Sequence, residues 1–407
     1  MNPSFTAVSR TLASFDVASD TYATQFVDAL LSASRNLGAS DLHLTPVSDG
    51  LDVRLRIDGV LQGMGTYPPG KSTHVITRLK VLAELLTYRT DIPQEGRIRG
   101  PVSEVEMRVS TFPTLHGEKA VVRLFAAAAH YPFLADLGLP GPIAEQLNNL
   151  LHETSGALLI AGPAGSGKTT TAYACLRELV RSTAGGRSVA TMEDPIEVAL
   201  DGVAQSQVNI KAGLDLVTGL KSLLRQDPQV IMVGEMRDPV TAAIALQASL
   251  TGQLVLTTIH AGSAAGAIGR LLDMGVEPYI LRSGILAVVC QRLVRRLCTC
   301  AVQNPDPVAR LGLPVSKAWL PNGCGQCHGT GYQGRALLAE MLTMGLDGVP
   351  AAVLARTDTV ALEQIATRAG MVSRWHWAAQ AVEGGVTSPA EIRRVLGLSD
   401  GIDSAAG

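Results

Sequence analysis

The rhythm of apolar and polar positions along this chain changes near residue 130. Before that point the two alternate over Leu51 to Ile57, Val102 to Thr111 and Ala120 to Phe125, the period of half-buried strands. Tyr22 to Leu37 and Thr73 to Leu86 repeat instead every three to four residues, which predicts amphipathic helices. The first twenty residues are polar and carry neither period. These patterns predict a flexible tail over 1–20 and a small α/β domain over 21–128.

Pro and Gly then punctuate AAAAHYPFLADLGLPGP, which predicts a hinge linker over 129–141. Beyond it Ile143 to Leu151 starts a second domain, in which the apolar runs ALLIAG, SVATMED, VIMVGE and LVLTTIH alternate with helical stretches. Continuous apolar strands separated by helices are the pattern of a parallel sheet covered on both faces, so 142–290 is expected to form an α/β core. A cysteine-bearing segment, 291–335, follows. The remainder, 336–407, is expected to be helical, with Val360 to Ala369 and Ser388 to Leu396 as its clearest helices. Cys175 and Cys290 fall in apolar stretches of helical appearance and are expected in the core.

Between the first apolar run and the helix Thr170 to Val180 lies GPAGSGKT, which fits GxxxxGK[ST] at every fixed position. Backbone N–H groups from Gly162, Pro163, Ala164, Gly165, Ser166, Gly167, Lys168, Thr169 and Thr170 surround such a site, apart from the proline, which has no N–H. Lys168 is placed to reach β- and γ-phosphate oxygens, and the Thr169 hydroxyl to hold Mg²⁺. The sequence therefore predicts binding of a nucleoside triphosphate, ATP, with Mg²⁺. Polar residues close three later runs at the edge where an α/β sheet places its chemistry: Glu193 after SVATM, Glu235 after VIMVG and His260 after LVLTTI. Glu235 is the expected catalytic carboxylate, orienting or deprotonating water, and His260 the expected sensor of the γ-phosphate.

Composition adds constraints. The 407 residues suffice for two or three domains, and 46% hydrophobic content fits a globular chain. A net charge of -2, with no basic stripe rich in aromatics, argues against direct nucleic-acid contact. No apolar run reaches bilayer length and the N-terminus lacks a signal-peptide pattern, so a cytoplasmic location is expected. Of six cysteines, Cys298, Cys300, Cys324 and Cys327 cluster as CxC and CxxC around twenty-three intervening residues, near the spacing of two-knuckle zinc sites. Structural Zn²⁺ is the expected occupant, with His328 as a substitute ligand and redox-active thiols as the alternative. Arg292, Arg295 and Arg296 nearby would favour thiolates.

The blocks TMEDPIEVALDGVAQSQVN, LLRQDPQVIMVGEMRD and TGQLVLTTIHAGSAAGAIGRLLDMG resemble the Asp box, Walker B and His box of the motor ATPases of type IV pilus assembly and type II secretion. Upstream, ASDLHLTP, VRLRIDGVL, DIPQEGRIR and MRVSTFPTLHGEKAVVRL resemble that family's N-terminal domain, and RSGILAVVCQRLVRRLC the approach to its cysteine motif. The resemblance covers roughly 38–395. It implies a PAS-like N-terminal domain, a RecA-like ATPase domain with a cysteine insertion, a homohexamer, and a place peripheral to the inner membrane beside its platform and the pilus or secretion machinery. It also implies arginines given to the nucleotide by the N-terminal domain, mapping onto Arg97, Arg108 and Arg123, of which Arg108 and Arg123 fall at matching positions. Assembly-type members carry the tetracysteine motif, which favours assembly or secretion over a retraction motor; a DNA translocase and a scaffold without turnover are the two competing functions from different classes. Two departures stand out: Gln253 replaces a common histidine, and HAGSA, from His260 to Ala264, replaces HTNDA. About forty residues precede the resembling region, fewer than the extra N-terminal docking module of many secretion ATPases.

Overall fold

The computed structural model describes residues 3–98, 107–124 and 132–397. Two compact units are present, one formed by the described residues of Met1–Ala126 with Arg295–Gln303 and Leu320–Arg335, the other by the rest. The expected boundary near residue 130 lies outside the described residues.

The first unit opens with helices α1 (Pro3–Ala13) and α2 (Tyr22–Asn36), then strands β1 (Asp41–Val47), β2 (Gly50–Ile57) and β3 (Val60–Tyr67), helix α3 (Ser72–Leu82), and strands β4 (Gln94–Ile98), β5 (Met107–Thr114) and β6 (Gly117–Leu124). The strands form one antiparallel sheet in the order β3-β2-β1-β6-β5-β4. Alternation does the work expected of it: Leu42, Leu44, Val53, Leu55, Val109 and Val122 point inward, where Phe26 and Leu30 of α2 and Val75 and Leu79 of α3 cover them. Two expectations need correction. Residues 3–13, expected as an unpatterned tail, form α1, seated by the buried Leu12, by Val8 packed against the same core, and by the Ser9 hydroxyl donating to Met64 O. The helix expected over Thr73 to Leu86 ends at Leu82, and Glu84 beyond it takes a left-handed conformation at φ 57.

The second unit continues with α4 (Gly141–Leu150), β7 (Gly156–Ala161), α5 (Lys168–Ser182), β8 (Val189–Glu193), β9 (Ala204–Gln207), α6 (Leu216–Leu223), β10 (Val230–Val233), α7 (Pro239–Leu250), β11 (Leu254–Ile259), α8 (Ala264–Asp273), α9 (Pro278–Gly284) and β12 (Ile285–Leu297). After β12 come β13 (Val302–Asn304) and β14 (Ala318–Leu320), which pair with each other, then β15 (Tyr332–Thr343) and helices α10 (Val349–Leu354), α11 (Thr359–Arg368), α12 (Arg374–Glu383) and α13 (Pro389–Leu396). The large sheet runs β15-β12-β7-β11-β10-β8-β9, and every pair from β12 to β9 is parallel. Its two faces are packed separately. Leu159, Ile231, Val255 and Ile259 meet Ala245, Leu246, Ile268 and Leu281 on one side, whereas Leu158, Ile160, Met232 and Leu256 meet Tyr173, Leu176 and Leu147 on the other. Cys290 is buried as expected but in β12, not in a helix. A strand buried on both faces shows no alternation, so ILAVVC has no period of two to reveal it. Among the described residues no helix is long and apolar enough to cross a membrane.

Candidate active site

The phosphate loop joins the end of β7 to the start of α5. Gly162, at φ 153, lies so close to Ser166 Oγ and Gln291 O that a Cβ there would overlap both, and Gly167 takes a left-handed conformation, φ 87, as the N-cap of α5. Pro163, Ala164 and Gly165 are exposed, while Thr169 and Thr170 sit half-buried on the first turn of the helix. The Lys168 ammonium folds back on its own loop, donating to Gly162 O at 3.0 Å and Pro163 O at 3.1 Å. Burial pushes it below its ordinary value, against the pull of the Glu235 charge in the other direction.

The expected residues of the later strands gather here. His260 Nδ1 lies 3.5 Å from Lys168 Nζ, and its Nε2 lies 2.7 Å from Glu235 Oε1. That second approach is off the line of a hydrogen bond, so Glu235 Oε1 is buried with no aligned donor, while Oε2 accepts from Arg237 Nε at 2.6 Å. Glu193 differs. Its carboxylate is buried and accepts from Thr191 Oγ1 at 2.6 Å, from Gln205 Nε2 at 3.1 Å and from the Tyr173 hydroxyl. Three of its roughly four acceptor sites are filled by protein. Burial, together with the Glu193 carboxylate, raises the Tyr173 phenol well above its usual value and keeps it a donor. Glu193 is thus the anchored side chain, and Glu235 the one with an oxygen to spare.

The two departures from the family pattern have unequal weight. Gln253 precedes β11 at the edge opposite His260, where its carbonyl accepts from Gly156 N and its amide oxygen from Thr251 Oγ1, so it does not touch the site. In HAGSA, Ser263 caps α8 by accepting from Gly266 N at 2.9 Å. Ser is as good a cap as the Asp of HTNDA. The next N–H, that of Ala264, goes to the buried Glu340 on β15 at 2.9 Å, and Arg374 pairs with the same carboxylate at 2.7 Å. Neither Glu340 nor Gln205 was identifiable in advance, since Glu340 is a lone acid in an apolar run and Gln205 is one of several polar residues in AQSQ.

In the first unit the register sets arginines side by side. Arg97 of β4 faces Arg108 of β5, Arg108 faces Arg123 of β6, and Arg123 faces Asp41 of β1, which itself faces Arg56 of β2. Directly opposed residues share a face, and like charges so placed repel. Glu95 bonds Arg108 Nη2 at 2.7 Å, and Asp41 holds Arg123 Nε at 3.0 Å and Arg56 Nε at 3.4 Å.

The same unit gathers all four cysteines, with their sulfur atoms within 4.8 Å of one another. The Cys298–Cys324 and Cys300–Cys327 separations are 3.8 Å, and Cys324–Cys327 is 3.7 Å. A tetrahedron of thiolates at a Zn–S distance of about 2.3 Å has edges of about 3.8 Å, so the donor set and these three separations fit zinc. Cys327 Sγ also accepts from Cys324 N at 3.1 Å and Gly331 N at 3.2 Å. Against the upward push of burial, these N–H groups and the neighbouring thiols bring Cys327 down to about 6; burial and hydrogen bonding to those neighbours push Cys300 up to about 12. His328 is not among the gathered ligand atoms.

A family model described as Type II/IV secretion system protein matches residues 16–394. Over 361 residues the chain is 40% identical to the type IV pilus assembly ATPase PilB of Thermus thermophilus, covering 86% of this chain and 40% of that one. Over 325 residues it is 43% identical to type II secretion system protein E of Klebsiella pneumoniae, covering 78% of this chain and 65% of that one. The chain therefore spans less than two thirds of the length of either relative. The X-ray structure of the Yersinia pseudotuberculosis ATPase DotB is similar over 92% of this chain and 93% of its own, with a TM-score of 0.67 at 20% identity, a likeness of fold.

Proposed function

The chain belongs to the Type II/IV secretion system protein family, and from that premise we propose that it is an ATPase motor: a homohexameric ring that turns ATP hydrolysis into domain movement for type IV pilus assembly or type II protein secretion, peripheral to the cytoplasmic face of the inner membrane. The observation that carries this reading is the line Lys168, His260, Glu235 beside an intact phosphate loop, ending in a buried carboxylate oxygen with no aligned donor. That oxygen is suited to hold the attacking water.

Loop N–H groups at the start of α5 receive the phosphates, and Lys168 exchanges the carbonyls of Gly162 and Pro163 for β/γ oxygens. Thr169 and Glu235 offer the hard oxygen donors that suit Mg²⁺, which supplies charge neutralisation when bound. Glu193 stays held by its three donors, and His260 bridges Lys168 and Glu235 where it can register the γ-phosphate. Arg108 and Arg123, in a row with Arg97, give positive charge to the phosphates as phosphoryl transfer proceeds. Cys298, Cys300, Cys324 and Cys327 hold a structural Zn²⁺, and the tetracysteine group favours assembly or secretion over retraction. No nucleic acid is expected to bind directly. If the ring completes the site, specific ATPase activity rises with protein concentration as hexamers form in light scattering. Full activity at concentrations where only monomer scatters would defeat the ring.

A further inference from the structure

Gln291 lies outside the phosphate-loop motif, yet more of that loop rests on it than on any other residue of β12. Its side chain is buried in the strand beside β7. The amide Nε2 donates to Ser166 O at 2.7 Å, and Oε1 accepts from Thr171 Oγ1 at 3.0 Å. A carbonyl can only accept, so the Ser166 bond fixes which end of the amide faces the loop. The glycines at the two ends of the loop close on the same residue: a Cβ on Gly162 would lie 2.7 Å from Gln291 O, and one on Gly167 would lie 3.2 Å from Nε2. Arg292 extends the brace, donating to Gln291 O at 3.0 Å and to Gly262 O, in the loop after His260, at 2.7 Å.

We propose that Gln291 is a positioning residue for nucleotide binding: its amide spans the phosphate loop from Ser166 to Thr171 and holds the loop N–H groups aimed at the phosphates before nucleotide arrives. This deepens the nucleotide-binding reading and rests on it. The chemistry requires an amide. A donor must meet the Ser166 carbonyl while an acceptor meets the Thr171 hydroxyl, and no charged or apolar side chain of that length offers both. Pre-aimed donors add affinity because ordering them does not have to accompany binding.

The test titrates Mg²⁺·ADP into the full chain by calorimetry, beside thermal unfolding of each nucleotide-free variant. Gln291→Met, which keeps the volume and loses both bonds, should weaken ADP binding by about tenfold, and Thr171→Val, which loses one, by about threefold. Gln291→Glu should resemble Gln291→Met at pH 8. Measured against wild type at each pH, it should recover affinity on acidification, because the protonated carboxyl regains a donor for Ser166 O. A purely structural role would lower the melting temperature without this pH-dependent recovery. Wild-type ADP affinity in folded Gln291→Met overturns the assignment. Should that variant fail to fold, wild-type affinity in Thr171→Val together with a flat pH ratio for Gln291→Glu overturns it instead. Absence of ADP binding by the wild type would overturn the nucleotide reading and this inference with it, whereas binding that Lys168→Ala abolishes and Gln291→Met leaves at wild-type affinity would sink this inference alone.

Discussion

The nucleotide edge of the second unit and the arginine row of the first handle charge in opposite ways. At the edge, Lys168 rests on two carbonyls, Glu193 on three donors, and the loop on Gln291, so the polar groups that shape the cradle are held by protein before any ligand arrives. In the row, Arg97, Arg108 and Arg123 stand in register, like charge beside like charge, with the carboxylates of Glu95 and Asp41 against Arg108 and Arg123. On the proposed function, the difference corresponds to separate tasks. A preformed cradle sets affinity, whereas aligned positive charges are suited to act as negative charge develops in the transition state.

Variants can break that division. Lys168→Ala should have the largest effect, lowering kcat/KM for ATP by about a thousandfold with weakened binding, because the charge that meets the β/γ oxygens is gone. Glu235→Gln should leave ATP binding within about twofold and cut turnover by about a hundredfold or more, read by calorimetry and steady-state phosphate release. Turnover at the wild-type rate would remove Glu235 from its role.

The cysteine group sharpens the comparison, since it too clusters ionisable groups, in a donor set whose geometry fits a cation. Protein purified without chelator should contain about one zinc per chain by elemental analysis, and Cys324→Ser with Cys327→Ser should lose it and melt several degrees lower. A smaller effect follows from pH. In zinc-stripped protein the Cys327 thiol titrates near 6 rather than its ordinary value of 9.0. A depressed acid contributes stability that is present in full above the ordinary value and is lost as pH falls through the folded one, so urea unfolding should show stability declining from pH 9 toward 6. Stability that rises over that window would contradict the assignment.

How much of this could be read in advance depended on distance along the chain. GPAGSGKT was legible because its function is set by residues within one turn, and Glu193, Glu235 and His260 because each closes an apolar run. The arginine row was half legible: the family resemblance points to its residues, but their alignment comes from strand register. Gln291 was invisible, because a lone glutamine in a buried strand gives no sign of which loop it faces. The same holds for the Tyr173 hydroxyl that bonds Glu193 from another element. Cys290 misled because buried parallel strands and buried helices share unbroken apolar runs.

The division between cradle and row is tested most directly by measuring ATP affinity and kcat together for Arg108→Ala and Arg123→Ala in the hexamer. Turnover should fall by about a hundredfold with the dissociation constant for ATP changed by less than about twofold. Affinity lost in proportion to turnover would place the row in ground-state binding, and unchanged turnover would remove it from the site.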